Sequence, residues 1–455
     1  MSKFFKVFCV FALAVFFVTP AFAEVQNVKI SGDLTARVIS RDDLDLDKDN
    51  AGNNGDDVQN YFMSTAEIQI DADLTDNVST VISLVNQRDW DDVSSTEVNG
   101  ATNNDNADFD VLLDLASVTL KEMIYSPLTV TIGRQNIWYG NGFIVGSKLR
   151  DDNASITAEE YTALSAFDAI TATVDLDPWT IDAVYALEQE NTVAGSDDVV
   201  LLGLNTGYEF NSYNAEAEAY AFQKTDVSQA NAVKEDERIL TLGLRGSMEP
   251  MSNLTLAAEG AVQYGRYSQA LGEARARDGM AADISAQYAF ADLSWKPTLA
   301  LEYIYYSGEA DDQNGNQGND YEGWDPMYRG KFDTAIREFQ NVYYATIQRG
   351  DNAAATTLDS DSGVTNQHQF LVIGSIKPTD TLTIDGRFAY FTFAEEPRGD
   401  RDDEIGTELD LILTYDYTED VSLGLLTAWF FPGDYWIDGQ DDTATDIVGS
   451  VKVSF

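Results

Sequence analysis

The chain has 455 residues, with 28 Lys and Arg against 77 Asp and Glu, a formal net charge of −49. Such a balance repels nucleic acid and anionic lipid, so no nucleic-acid partner is expected. Disorder is excluded too, because 44% of residues are hydrophobic and 22 Tyr, 23 Phe and 7 Trp can build a large ordered structure.

Residues 1–23 read as a cleaved secretory signal peptide. Lys3 and Lys6 precede an apolar run from Val7 to Val18, and Ala21-Phe22-Ala23 forms an A-x-A cleavage site. That run is too short for a membrane anchor, and no later stretch of about 18 apolar residues exists, so a helical membrane protein is excluded. Cys9, the only cysteine, leaves with the leader. The remaining chain has no thiol for a disulfide, a metal site or a nucleophile.

Residues 24–455 repeat one theme: period-two alternation, a short polar turn, another alternating segment, then a longer acidic loop. A tilted strand crossing an outer membrane needs that alternation, apolar outward and polar inward. The pattern predicts strands near 26–41, 58–74, 78–90, 109–121, 127–138, 166–176, 178–189, 198–211 and 213–225. It continues near 237–249, 253–266, 279–291, 295–308, 366–377, 380–395, 404–417, 420–431 and 444–455. These are about 18 strands of an all-β transmembrane antiparallel β-barrel, with short periplasmic turns and long extracellular loops. Tight connections such as Thr75-Asp76-Asn77 and Asp177-Pro178 carry residues that favour chain reversal. From Ile405 to Tyr417, Ile405, Leu409, Leu411, Leu413, Tyr415 and Tyr417 are read on one face, opposite Glu408 and Asp410. Near Val78–Val85, Leu113–Ala116 and Phe370–Ile376 both faces are apolar, which a β-bulge or a buried lumen patch explains.

Alternation assigns inward faces to Arg37, Arg41, Glu67, Asp71, Glu216, Glu218, Arg245, Glu259, Asp283, Glu302, Asp385, Arg387, Glu408 and Asp410. Acids outnumber bases there, and rings of carboxylates in a pore favour cations. A few arginines gathered at a constriction would reverse that preference. Two connections are long enough to narrow the channel. One is 139–165. The other is 309–365, where Phe332, Ile336, Phe339, Tyr343 and Ile347 recur at helical spacing. Such a segment either folds into the lumen or packs on the outer rim.

Asp45, Asp47, Asp49 and Asp56 in the first outer loop alternate as calcium ligands do, but Asn50 stands where the turn glycine belongs and no bidentate Glu closes the loop. A solvated acidic loop is the better reading. No cofactor is expected, and a catalytic role is not: the single histidine, His368, lies beside no distinctive serine motif.

The segment Gly133-Arg134-Gln135, the loop entry Tyr139-Gly140-Asn141-Gly142 and the strand start Phe167-Asp168-Ala169 resemble the alginate-export family of outer-membrane channels. Ser31–Arg37 and Phe431-Pro432-Gly433-Asp434 are similar to it as well. The terminal strand ending at Phe455 resembles those read by the barrel-insertion machinery. The resemblance implies an 18-stranded barrel in the outer membrane, in contact with its lipid and lipopolysaccharide, and export of a polyanionic polysaccharide through a basic lumen. The acidic inward faces depart from that last feature. The sequence therefore points first to passive diffusion of small solutes, cationic or neutral, with export of an alginate-like polysaccharide as the alternative and a barrel enzyme as a third class.

Overall fold

In the computed structural model, the described residues are 27–44, 46, 58–90, 111–124, 126–142, 144–146, 166–189, 198–227, 237–267, 275–308, 320–325, 327, 334–337, 365–395, 402–436 and 441–455. The ascending order is β1 (Asn27–Asp42), β2 (Val58–Thr75), β3 (Val78–Asp89), β4 (Leu112–Lys121), β5 (Leu128–Gln135), β6 (Phe167–Asp175), β7 (Trp179–Gln189), β8 (Val199–Glu209) and β9 (Glu216–Asp226). There follow β10 (Glu237–Met251), β11 (Leu254–Tyr267), β12 (Arg275–Ala289), β13 (Thr298–Tyr306), β14 (Asp320–Tyr321), β15 (Gln367–Thr379), β16 (Leu382–Phe393), β17 (Glu404–Asp416), β18 (Val421–Pro432) and β19 (Ala444–Ser454).

Every wall strand pairs antiparallel with both neighbours, and β1 pairs with β19 as well as β2, so the sheet has no edge. The two-residue β14 stands apart from the wall: it lies parallel to the upper end of β12, while β13 bonds directly to β15. The wall is thus a closed 18-stranded antiparallel barrel.

Alternation separates the two faces. On β10, Leu242 and Leu244 are exposed while Thr241 and Ile239 are buried; on β8, Leu202 and Leu204 are exposed beside buried Leu201 and Asn205. An exposed apolar row opposite a buried polar one marks a lipid-facing outside and a filled inside. Aromatic clusters bound the apolar band. At the turn side, Trp179, Tyr208 and Phe210 pack edge to edge, and Tyr288 meets Phe290; at the loop side, Phe62 stacks on Trp90.

The segments apolar on both faces resolve in two ways. At β4 the register slips opposite Ser83 and Leu84, which leaves Leu112 and Leu113 both exposed and turns Asp114 inward. Along β15 the register is regular through Ile376: Phe370 and Val372 face lipid, while Leu371 and Ile373 join a buried inner patch. One facing assignment is overturned. A slip at Gly406 (φ 143°) turns Ile405 inward to 1% exposure, away from the outward row of Leu409, Leu411 and Tyr415.

The wall is uneven, because β4, β5 and β6 have 10, 8 and 9 residues against 16 and 18 in β1 and β2. At ~3.3 Å per residue and ~40° of tilt, β5 climbs about 20 Å, less than the ~25 Å apolar band of such barrels. The chain leaves the wall there, at Asn136 rather than at the expected Trp138.

Leu244 sits at the middle of β10, 68% exposed on the lipid side. Leu244→Arg is expected to cost about 2–4 kcal/mol of folded-state stability, read as a lower urea midpoint for refolding into lipid vesicles. An unchanged midpoint would contradict the facing assigned to β10.

Candidate functional site

Two segments enter the barrel and pack on its inner face. The first follows β5. Ile137, Ile144 and Val145 are buried, and the loop closes on itself where the Tyr139 and Gly142 N–H groups donate to the Val145 and Tyr139 carbonyls. Gly140 (φ 56°) and Gly142 (φ 73°) hold left-handed backbone there, and an added Cβ at Gly140 would lie 3.1 Å from both Arg245 and Glu259. The loop tip is therefore pressed against β10 and β11, five and six strands round the wall from its origin. Arg245 Nε donates to Asn141 Oδ1 at 3.3 Å, while its Nη1 reaches Glu216 at 2.8 Å and Glu218 at 2.5 Å. The Tyr220 hydroxyl donates to Glu259 at 2.8 Å, and Tyr139 packs on Phe222. Burial, with Asp182 nearby, pushes the Tyr139 hydroxyl above the ordinary tyrosine range, so it stays protonated.

The second entry comes from the connection between β13 and β15. Residues 320–325 and Met327 seat against β9 to β13. Gln263 exchanges hydrogen bonds with Asp325, Arg277 holds the Gly323 carbonyl and pairs with Glu237 at 3.1 Å, and Trp324 is buried. Residues 334–337 seat across the lumen on β17. The Ile336 and Arg337 N–H groups donate to Glu408 at 2.5 and 2.9 Å, and the Ala335 N–H to Asp410 at 3.1 Å. Free N–H groups at the start of a helical turn are well matched by carboxylates. Arg337 is 2% exposed, over the rings of Phe391 and Phe430. Burial pushes its guanidinium down to about 10, which leaves it cationic at neutral pH beside Glu408.

The inward candidates therefore fall into two sets. Arg41, Glu259, Asp283, Glu302, Glu408 and Asp410 are buried at 0–7% exposure, covered or tied to neighbours, with Arg41 held by Asp446 and the Tyr61 hydroxyl. Arg37, Glu67, Asp71, Glu216, Glu218, Arg245, Asp385 and Arg387 keep intermediate exposure on the inner wall. Arg37 donates to Thr65, Ser83 to Glu67 and Gln69 to Asp71; Arg387 stands opposite Asp410 in the register. The motif residues also divide. Gln135 and Phe167 point inward, Gln135 taking the Thr171 hydroxyl, whereas Arg134 and Asp168 form a 3.7 Å pair on the outer face. Gly133 (φ 121°) brings the backbone against the Ala116 carbonyl, where a Cβ would lie at 2.2 Å.

Asp45, Asp47, Asp49 and Asp56 lie outside the described residues, as do Phe332, Phe339, Tyr343 and Ile347. Among the described residues no group of three or more acids or histidines converges to hold a metal ion. His368 faces outward, its Nδ1 2.8 Å from the Tyr303 hydroxyl and its ring stacked on Tyr305. Sequence reasoning passed over Asn141, Arg275 and Arg277. Asn141 is marked only by its place between two motif glycines. The two arginines precede the predicted strand 279–291, whereas β12 starts at Arg275.

A family model described as alginate export matches residues 27–450. The chain belongs to the alginate-export family. This member of the alginate-export family is an outer-membrane barrel, and its fold is shared by solved porin structures of low sequence identity. OccK9 (OpdG) of Pseudomonas aeruginosa aligns with a TM-score of 0.55 at 12% identity over 95% of this chain and 99% of its own. OccAB1 of Acinetobacter baumannii gives 0.55 at 14% over 96% and 98%. OccK2 (OpdF) of Pseudomonas aeruginosa, in complex with glucuronate, gives 0.52 at 12% over 95% and 99%. No curated protein matches the chain.

Gly140→Val places a β-branched residue in left-handed backbone, at a cost of ~1–2 kcal/mol, and drives its side chain into Arg245 and Glu259. The expected outcome is a loosened loop tip: higher and noisier single-channel conductance in planar bilayers. Conductance and noise equal to wild type would show that this tip does not narrow the path.

Proposed function

We propose that this alginate-export family member is a passive, water-filled channel for small solutes, with a preference for cationic or neutral ones, and not an enzyme. The observation that carries this is how the inner charges are matched. Arg41 is tied to Asp446, Arg245 to Glu216 and Glu218, Arg277 to Glu237, and Lys452 to Asp33 at 3.4 Å. Arg37 and Arg387 also face the inner wall, but Glu67, Asp71, Asp182 and Asp385 outnumber them there, and two carboxylates share the single guanidinium of Arg245 beside the loop tip. Fixed negative charge along a narrow aqueous path raises the local concentration of cations.

Export of an alginate-like polysaccharide is the second reading, and the family's name is what favours it. A polyanion passing the loop tip would meet Glu216 and Glu218, which disfavours it here. A uronate such as the one in the OccK2 complex would meet the same charges. For a barrel enzyme, His368 would need a nucleophilic serine, but its neighbours are the aromatic side chains of Tyr303, Tyr305 and Phe370. Contact with lipopolysaccharide, and insertion guided by the final strand, belong to this reading as well. Phe455, which bonds Gly32 of β1 and is 66% exposed, is suited to the latter.

The deciding measurement is the reversal potential of the purified barrel in a planar bilayer under a salt gradient. Cation selectivity is expected, and anion selectivity would move polysaccharide export to the front. Replacing Glu216 and Glu218 together by Gln removes both carboxylates paired with Arg245, so the cation-to-anion permeability ratio is expected to fall at 0.1 M salt. In about 1 M salt, where the screening length is ~3 Å, the variant and wild type are expected to converge.

A further inference from the structure

We propose that the inner wall from β16 to β19 carries a subsite for amphipathic organic cations, with Asp385 holding the ammonium group and Ile412, Leu426 and Val448 receiving the hydrocarbon tail. The inference rests on the reading of the barrel as a channel that prefers cations, and it names a class of solute. The four side chains form one cross-strand row: Asp385 pairs with Ile412, Ile412 with Leu426, and Leu426 with Val448. Their phase puts them inside, because Leu411, Leu425 and Ile447, one residue away on each strand, are exposed on the lipid face. All four keep intermediate exposure and so border the lumen. With neighbouring strands ~4.8 Å apart, the row from the carboxylate to Val448 spans about 14 Å.

Two observations call for a ligand with both parts. The first is the state of Asp385. Among the described residues it has no hydrogen-bond or ion-pair partner, whereas Glu67 takes the Ser83 hydroxyl, Asp71 the Gln69 amide and Asp182 the Thr173 hydroxyl. Arg387, two residues toward the loops on the same face, is matched in register by Asp410. The Asp385 carboxylate is thus open to a cation, and Ser375, its partner on β15, adds a hydroxyl for a second ammonium hydrogen. The second observation is the strip itself. Three contiguous aliphatic side chains facing a water-filled lumen keep apolar surface wet, and a hydrocarbon tail laid along them removes it. In the next inward row toward the loops Asp410 and Ala428 are buried, and the Ala335 N–H bonds Asp410 at 3.1 Å, so the strip begins where the inserted turn ends. The row on the other side carries only Thr414, Gly424 and Ser450, small groups that leave that flank open. An inorganic cation gains from the carboxylate alone and a neutral alcohol from the strip alone. An alkylammonium ion gains from both.

The test uses the full barrel in planar bilayers, where hexylammonium, ethylammonium and hexanol are titrated against the potassium current and the reversal potential is read on the same membranes. In wild type the half-blocking concentration of hexylammonium is expected to lie about tenfold below that of ethylammonium, because the longer tail covers more of the strip. Hexanol at the same concentrations is expected not to block. D385N is expected to raise the hexylammonium value about tenfold, through loss of the charged acceptor. Ile412→Thr and Leu426→Thr are each expected to raise it severalfold and to leave the ethylammonium value unchanged. Equal values for the two amines in a cation-selective wild type, or a hexylammonium value unmoved by D385N, would overturn the subsite. Full hexylammonium block in both threonine variants would overturn the place assigned to the tail. Anion selectivity of the wild type would instead overturn the channel reading on which the subsite rests. The comparison of the two amines in wild type needs no variant, so it decides the matter even if a substitution prevents folding.

Discussion

Hydrocarbon offers no hydrogen-bond partner, so each backbone N–H and C=O that crosses it must find one within the protein. For strands the only complete solution is a sheet without edges, and the pairing of β1 with β19 supplies it. The remaining architecture follows from that closure. A closed sheet has an inside, and a period of two sends alternate side chains into it. An 18-stranded wall leaves more space inside than wall side chains alone can fill. The chain fills part of it with its own connections, and those connections find partners because the wall presents carboxylates and arginines at matching heights.

Closure also explains what could be read from the sequence. Strand positions were legible almost throughout, since an alternating stretch such as Leu254 to Val262 has only one way to face lipid. The misreadings sit where the pairing slips. Gly406 carries a positive φ, and the extra residue it accommodates sends Ile405 to the opposite face from the one alternation assigns. The start of β12 was hidden because Arg275, Arg277 and Gly279 supply polar or missing side chains on the inner face before the apolar outward row becomes obvious.

The site was legible only in part, for a physical reason. Alternation states which way a side chain points, but not what covers it. Glu259 and Glu216 both point inward from neighbouring parts of the wall, yet Glu259 is pinned beneath Gly140 while Glu216 keeps contact with the lumen. That difference is set by the path of the loop after β5. The path in turn is set by a strand too short for the membrane it crosses, a fact visible in the structure and blurred in the sequence, where alternation persists as far as Trp138.

Acidic residues in this barrel consequently do two kinds of work, and composition cannot separate them. Glu408, Asp410 and Glu259 are acceptors for inserted backbone or side chains: they spend their charge on amide hydrogens, a hydroxyl and nearby arginines, and they fix where the lumen narrows. Glu216, Glu218, Asp71 and Asp385 keep intermediate exposure on the inner wall, and in the proposed channel they are the charges that a solute would meet. A net charge summed over all inward residues therefore overstates the field that a solute meets, while the position of the narrowing decides which of the remaining charges it meets at close range. Because Arg245 binds both the loop tip and the two carboxylates beside it, the proposed channel would have its width and its charge at that height governed by one guanidinium, so a change that frees the tip is expected to alter the selectivity as well.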